Sequence, residues 1–448
     1  MRRDAGSVRR WLSSSAVLGA LGLALLAACG AALVPVLDYR LDDFVRVSLA
    51  HAAVYAIAVA WILRNGAGRG VLVVTLLVAA LARAIALPAP PALSNDALRY
   101  IWDGRVQAAG VNPYLYVPAD ERLAPLRDGA IYPHINRKDY APTIYPPAAQ
   151  MIFLAATRFG ESFFVMKLAM VTFEALAIVA IMAWLVALGL PRARVLIYAW
   201  HPLPIWEFAG TGHIDAAAIA FLCLALAAAQ RGRQGWTGIA LAAGTLVKVF
   251  PLVLAPALWR RWNWRMPTAF LAACLLFYLP YLGAGERIFG FAVGFSDEEG
   301  FRDGRGFYLV ALARALGLPS PSGAVFAAAG LLVLAALAAA IVLGRQAVEP
   351  RPMHAIALAS AFLVITSPHY AWYFAWAIPL LCRAFYLPLA YVSLACVLLY
   401  LPADTVLGGR LVANSVIYGG FFLLAAAELV TRRRTAYGGD DDDHDPRL

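Results

Sequence analysis

The sequence predicts an all-α, polytopic membrane protein with roughly 12–14 transmembrane helices. Three observations predict it. Of 448 residues, 62% are hydrophobic and only 14% charged, with a mean hydropathy of +0.70. A soluble chain averages about 45–50% apolar and about 25% charged residues, so this one has too little polar surface to cover itself in water. Apolar runs near the ~20 residues that span a bilayer recur along the whole chain. Those runs are continuous rather than alternating, which excludes a β-barrel. Disorder, a disulfide scaffold and an ordinary cytosolic enzyme are excluded with it.

The charge is +10 and the pI about 9.5. The basic groups sit between apolar segments: Arg2, Arg3, Arg9 and Arg10, Arg64 and Arg69, Arg192 and Arg194, Arg231 and Arg233, Arg260, Arg261 and Arg265, Arg345 and Arg351, and Arg432–Arg434. Short cytoplasmic loops accumulate such residues. The charge is therefore topological, and no nucleic-acid partner is expected, because no basic–aromatic platform stands outside the membrane. All five cysteines (Cys29, Cys223, Cys274, Cys382, Cys396) lie in apolar segments, as packing residues rather than disulfide or metal sites. Leu26–Gly30 imitates a lipoprotein cleavage box, but the apolar run continues to Leu37, so an uncleaved first helix is expected.

The positive-inside rule orients the spans, with both termini cytoplasmic. Span one (12–37) runs outward to Asp38, Asp42 and Asp43, and span two (46–63) returns to Arg64. Span three (71–88) leads to a large extracytoplasmic loop, 89–144, rich in Pro, Asp, Arg and Tyr. The piece 146–159 is too short to cross and reads as a partly inserted helix; 163–188 then returns. Spans 194–208 and 214–230 follow. Residues 237–259 carry basic groups at both ends and Lys248 and Pro251 in the middle, which predicts a hairpin of two half-helices. Span 266–283 leads to a second outer loop, 284–321. Spans 322–344, 353–366, 371–384, 386–402 and 412–431 complete the set. The expected division is an N-terminal hairpin (1–70), a membrane catalytic domain (71–431) and a cytoplasmic tail (432–448) whose acidic run, 440–445, is solvated.

Unusual polar groups gather on the outer side. In a helix capped by Ser94, Asp96, Tyr100, Asp103 and Gln107 share one face, and Arg99 pairs with Asp103. Arg105 follows, and Tyr145 stands where the chain re-enters the membrane. Carboxylates, a ring and an amide suit sugar recognition; the plainer alternative is an interfacial helix with surface ion pairs. Glu207 and the run Gly212-His213-Ile214-Asp215 put ionisable groups at the end of an outward span, where they are expensive and suggest function. The alternative there is a helix junction capped by Asp215. Lys248 is a cation in an apolar hairpin, aimed at a lipid phosphate or snorkelling to the interface. An aromatic belt explains Trp372 and Tyr373, but not His369 beside Tyr370. The charged, Gly-rich loop Asp297–Arg305 suits an acceptor-binding loop or lid.

The run from Asp96 to Gln107, then Gly110-Val-Asn-Pro-Tyr114 and Ile144-Tyr-Pro-Pro-Ala-Ala-Gln150, resembles bacterial membrane mannosyltransferases of the GT-C superfamily. Gly212–Asp215, Leu246–Pro251 and Ser367–Tyr370 look like the same family. The resemblance covers about residues 70–400, with two extra spans before the catalytic loop. It implies a GT-C fold and inverting transfer of a sugar, mannose above all, from a polyprenyl-phosphate donor to a lipid-linked or glycan acceptor. The place implied is the outer face of the bacterial cytoplasmic (inner) membrane. Asp96 matches the family's catalytic base. Arg99, Tyr100, His213, Lys248, His369 and Tyr370 are expected to meet the donor's phosphate or sugar, with Asp103, Arg105, Tyr145, Glu207 and Asp215 supporting them. A divalent metal (Mg or Mn) on Asp96, His213 or Asp215 is the cofactor the resemblance allows. The competing class is a lipid or sugar transporter or flippase, which places charged sites near the midplane with repeat symmetry. No repeat is visible here.

Overall fold

The computed structural model describes residues 5–65, 68–344 and 352–437. Arg2, Arg3, Arg345, Arg351 and the acidic tail 440–445 lie outside these residues, as do the side chains of Arg9, Arg10 and Arg432–Arg434. Among the described residues every regular element is helical. Seven helices are long and apolar enough to cross a membrane, and four shorter apolar helices accompany them. The molecule is an all-α polytopic membrane protein.

Two long helices open the chain, α1 (Ala5–Leu37) and α2 (Leu41–Asn65), joined by a turn in which Tyr39 takes a positive φ of 59°. The hairpin does not stand apart. A Cβ on Gly22 would meet Val78 at 2.6 Å and Trp200 at 3.3 Å, so α1 packs closely on α3 (Arg69–Ala86). Phe44 of α2 packs edge-on against both Trp206 and Tyr400.

Three charged side chains, buried at the depth of these helices, fix where α3 ends. Arg83 forms an ion pair with Glu174 at 2.5 Å. Lys167 donates to the carbonyls of Leu87 and Ala89, the latter at 2.6 Å. Both partners lie on the long helix that follows the first loop. Removing one member of such a buried pair costs about 3–5 kcal/mol, because the other is left charged and alone. The chain therefore leaves α3 at a fixed point and enters α4 (Asp96–Ala108).

Helix α4 lies on the short α5 (Pro147–Thr157), too short to cross, as its sequence implies. The two approach so closely that a Cβ on Gly104 would sit 2.6 Å from the carbonyl of Phe153. Next is α6 (Phe163–Ala187), the helix that carries Lys167 and Glu174.

The expected span 194–208 is not one helix. It breaks into a 3-10 turn (Arg192–Val195), α7 (Leu196–Ala199), α8 (Pro202–Pro204) and a π-helical turn, Ile205–Gly210. Pro202 and Pro204 remove backbone donors and clash with the preceding turn, which breaks the ladder. Helix α9 (Asp215–Gln230) follows.

Residues 234–260 form the expected hairpin: α10 (Gln234–Thr245), a tip at Lys248, a 3-10 turn (Phe250–Leu254) and α11 (Ala255–Leu258). Gln234 ties its two ends, donating to Leu258 O at 3.2 Å and accepting from Arg260 N at 3.0 Å. The tip touches the start of α5, whose Ala148 N–H donates to Leu246 O at 3.0 Å. Helix α12 (Arg265–Tyr278) packs tightly on α10 at Gly238.

The second loop is itself partly helical, with α13 (Ala292–Glu298) and α14 (Tyr308–Ala315). The remaining helices are α15 (Gly323–Leu343), α16 (Pro352–Thr366), α17 (Ile378–Arg383), α18 (Leu387–Ala395) and α19 (Arg410–Tyr437). The two spans expected at 371–384 and 386–402 each contain a 3-10 segment, Ala371–Ala377 and Cys396–Tyr400. The five cysteines are free, and all but Cys274 are buried.

Candidate active site

One cavity of about 760 Å³ gathers residues from parts of the chain far apart in sequence. Asp96 enters from the start of α4, with Asn136 and Arg137 from the same loop. Lys248 enters from the hairpin tip, and Glu299 and Phe301 from the second loop. His369, Tyr370, Trp372 and Tyr373 come from the segment before α17, and Tyr145 and Tyr400 complete the polar and aromatic lining. Leu41, the first residue of α2, also lines it, so the N-terminal hairpin is part of the wall.

Asp96 stands in the first turn of α4, where the helix dipole favours a carboxylate. The helix begins one residue later than a Ser94 cap would place it. Ser94 Oγ instead accepts the Asp96 N–H at 3.2 Å. Asn136 Nδ2 donates to Asp96 Oδ1 at 2.7 Å. The side chain stays 21% exposed, open to the cavity. Behind it lies His213, wholly buried, with Nε2 3.2 Å from Ser94 Oγ and 3.9 Å from Asp96 Oδ2. His213 stacks on Trp372, with ring centroids 4.0 Å apart. Its Nδ1 lies 2.7 Å from Thr211 Oγ1 and 3.0 Å from Glu207 Oε2. Gly212, at φ +77°, makes the turn that presents His213.

Lys248 reaches Asp215 Oδ2 at 2.8 Å and lies 4.3 Å above the Tyr373 ring, a cation–π contact. Asp215 is wholly buried in the first turn of α9. On the loop side, Arg137 pairs with Glu298 at 2.5 Å, which with its other anionic neighbours favours its charge although burial opposes it. His369 is held at both ring nitrogens: Nδ1 faces Glu299 Oε2 at 2.5 Å and Nε2 faces Gly306 O at 2.9 Å. Tyr370 OH donates to Glu299 Oε1 at 3.1 Å. Burial would raise the Glu299 carboxyl, but the bonds from His369 and Tyr370 win and hold it below the usual carboxylate range.

The structure brings Asp96, Lys248, His369, Tyr370 and Tyr145 to one cavity, with His213, Glu207 and Asp215 directly behind its wall. It does not bring Arg99, Tyr100, Asp103 or Arg105 there. Arg99 is buried against Asp103 at 2.8 Å and Ala141 O at 3.2 Å. Tyr100 is stacked on Phe153, 4.5 Å between centroids and 5° between planes. Asp103 Oδ2 accepts from Gln150 Nε2 at 3.0 Å, and Gln107 Nε2 reaches Gln150 Oε1 at 2.9 Å. The shared helical face is real, but past its first turn it is spent on packing, chiefly in clamping α4 to α5. Arg105 ties the loop together through Asp128 at 2.6 Å and Glu161 at 2.8 Å.

The metal candidates do not converge on one point. Asp215 already faces the Lys248 ammonium, which stands where a cation would go. Among the described residues no group of three His, Cys, Asp or Glu side chains is arranged to hold a metal ion. Three lining residues carried no sequence signal that singled them out. Asn136 and Arg137 sit in a polar stretch without periodicity, and Tyr400 ends an apolar run. Arg137 does take a left-handed φ of 54°, which sequence alone does not reveal.

No curated protein and no solved structure matches the chain. The sequence model of Glycosyltransferase family 87 matches residues 143–368, half of the chain. The match contains Glu207, His213, Asp215, Lys248 and Glu299; Asp96 precedes it, and His369 follows immediately. By that match the chain belongs to glycosyltransferase family 87, a family of GT-C-type membrane glycosyltransferases.

Proposed function

We propose that the protein is an inverting glycosyltransferase that moves a sugar, mannose foremost, from a polyprenyl-phosphate donor to a lipid-linked or glycan acceptor. It works at the outer face of the bacterial cytoplasmic membrane, with both termini cytoplasmic and the two large loops outside. The observation that carries this reading is one cavity with the Asp96 carboxylate and the Lys248 ammonium in its walls, set between apolar helices and polar loops. A lipid-phosphate donor suits a chain with no Gly-rich nucleotide loop. The flippase alternative is set aside because the chain is a family 87 member.

In this reading Asp96 Oδ2 takes the proton of the acceptor hydroxyl as that oxygen attacks the sugar's C1. Attack comes opposite the phosphate, so the configuration inverts. The C1–O bond breaks and its electron pair leaves with the polyprenyl phosphate. Lys248 meets the departing charge. His369 joins it only by giving up Glu299 or Gly306 O, so the second loop has to move for it to take part. The rings of Tyr145, Tyr370 and Tyr373 offer stacking surfaces for the sugar. Asp103, Arg99 and Arg105 act at a distance, by holding α4 and its loop in place.

The test is donor consumption by the purified full chain, offered polyprenyl-phosphate sugars with lipid and glycan acceptors, with and without a divalent cation. Asp96→Asn, which keeps the bond from Asn136 within reach, should lower turnover by about 10³-fold. Wild-type turnover in Asp96→Asn would remove the base assignment. Failure of the wild type with every donor and acceptor would remove the donor class.

A further inference from the structure

Behind Asp96 stands a second, fully buried carboxylate that the transfer chemistry does not require. Glu207 lies in the π-helical turn Ile205–Gly210, a rare local form that often marks functional sites. Tyr400 OH donates to its Oε1 at 2.6 Å. Oε2 accepts no hydrogen bond and stands 3.0 Å from His213 Nδ1, at ion-pair distance.

The hydrogen-bond inventory fixes the tautomer of His213. Thr211 has one hydroxyl hydrogen, which it gives to the Glu207 carbonyl at 2.6 Å. Thr211 Oγ1 therefore accepts from His213 Nδ1 at 2.7 Å, so Nδ1 carries the hydrogen. Glu207 Oε2 stands beside the same nitrogen as a counter-charge. Nε2 is then the basic nitrogen of the neutral ring, and it faces Ser94 Oγ and Asp96. Ser94 in turn accepts the Asp96 backbone N–H. Tyr400, Glu207, His213 and Asp96 thus follow one another, and the last step, from His213 Nε2 to Asp96 Oδ2, is 3.9 Å.

We propose that Glu207 is a positioning residue for glycosyl transfer, acting on Asp96 through His213. It rests on the reading of Asp96 as the base. Thr211 holds the Nδ1–H tautomer, which leaves Nε2 as the acceptor nitrogen on the Asp96 side. The proton that leaves the acceptor hydroxyl goes to Asp96 Oδ2 and then to Nε2, 3.9 Å away. That step regenerates the Asp96 carboxylate and leaves an imidazolium, whose charge Glu207 meets beside Nδ1. The arrangement repeats the logic in which a buried acid stabilises the imidazolium of a histidine that serves the reacting group.

The experiment uses the purified full chain and compares Glu207→Gln with Tyr400→Phe, which keeps the ring packed on Phe44 and deletes only the hydroxyl. Glu207→Gln should lower kcat by about 10²-fold while the donor KM stays within about twofold. Tyr400→Phe should move kcat the same way by less. Glu207→Gln added to Asp96→Asn should cost nothing further, because residues acting through one group are not additive. An unchanged kcat in Glu207→Gln, a loss expressed mainly in donor KM, or a full further loss in the double variant would overturn the proposal. A second readout does not depend on turnover. Ring 15N shifts of labelled protein, with the His213 signal identified among seven histidines by its absence in His213→Gln, should report Nδ1–H in the wild type. The opposite tautomer in the wild type would refute the proposal even if the donor class proved wrong.

Discussion

The charged pairs on the two sides of the cavity are built differently. On the side of the membrane helices, Lys248–Asp215 and His213–Glu207 join residues of the apolar segments, and both carboxylates are essentially unexposed. On the loop side, Arg137–Glu298 and Arg105–Asp128 involve residues of the outer loops, and their acids stay about a third exposed. His369–Glu299 spans the two, a buried pair whose acid belongs to the second loop. The difference follows from the dielectric. A charge among helices depends on its one partner, whereas a loop charge shares its load with water. The helix side is therefore fixed in geometry and the loop side is free to adjust to a substrate.

The hardest test of that contrast is to delete one cation on each side. Lys248→Met leaves Asp215 buried with no other ion-pair partner among the described residues, and should cost about 3–5 kcal/mol. Adding Asp215→Asn should restore much of it. Arg137→Gln should cost at most about 1 kcal/mol, since both its partner and its own guanidinium reach water. Thermal unfolding of the detergent-solubilised protein measures all three. Equal losses at Lys248 and Arg137 would break the comparison.

The two histidines sharpen it. His213→Gln removes the nitrogen beside Asp96 and should lower kcat by about 10²-fold with little change in donor KM. His369→Gln should raise donor KM by about tenfold, worth about 1.4 kcal/mol, with a smaller effect on kcat. Steady-state kinetics over a range of donor concentrations separate the two. Matching signatures would mean that both histidines do the same work, contrary to their surroundings.

Sequence reading reached parts of this arrangement and missed others for physical reasons. The hairpin at 237–259 was legible because basic groups at both ends forbid a crossing and Lys248 and Pro251 forbid a continuous helix. The charged helix that opens at Asp96 was legible because it directly follows an apolar run. The burial of Tyr100 and Asp103 was not, because spacing tells which residues share a face and not what that face packs against. Arg83, Lys167 and Glu174 are plain in the sequence, yet a window of about 19 residues averages a single charge away. The break in 194–208 was missed, although Pro202 and Pro204 mark it in the sequence. The double engagement of His369 was beyond reach, since Glu299 and Gly306 are more than sixty residues away in the chain.

The smallest expected effect lies at the loop's own tether. Burial would raise the Asp128 carboxyl, but Arg105 and the backbone N–H groups of Ile131 and Tyr132 outweigh it and bring it from 3.8 down to about 2. A carboxyl depressed in the folded state stabilises that state above its unfolded value, and the contribution fades as pH falls from 3.8 toward 2. The first loop should thus be indifferent to pH between about 5 and 8 and loosen only in stronger acid. The loss should stay within about 1 kcal/mol, because the pair is open to water. Hydrogen exchange of the backbone amides around residues 120–134 follows it directly. In Arg105→Gln the acid-dependent part should shrink, since the first hydrogen bond holding the Asp128 carboxyl down is gone. A loop that loosened equally at neutral pH in the wild type would show that its order comes from elsewhere, and the loop side would then owe its adjustability to something other than exposed ion pairs.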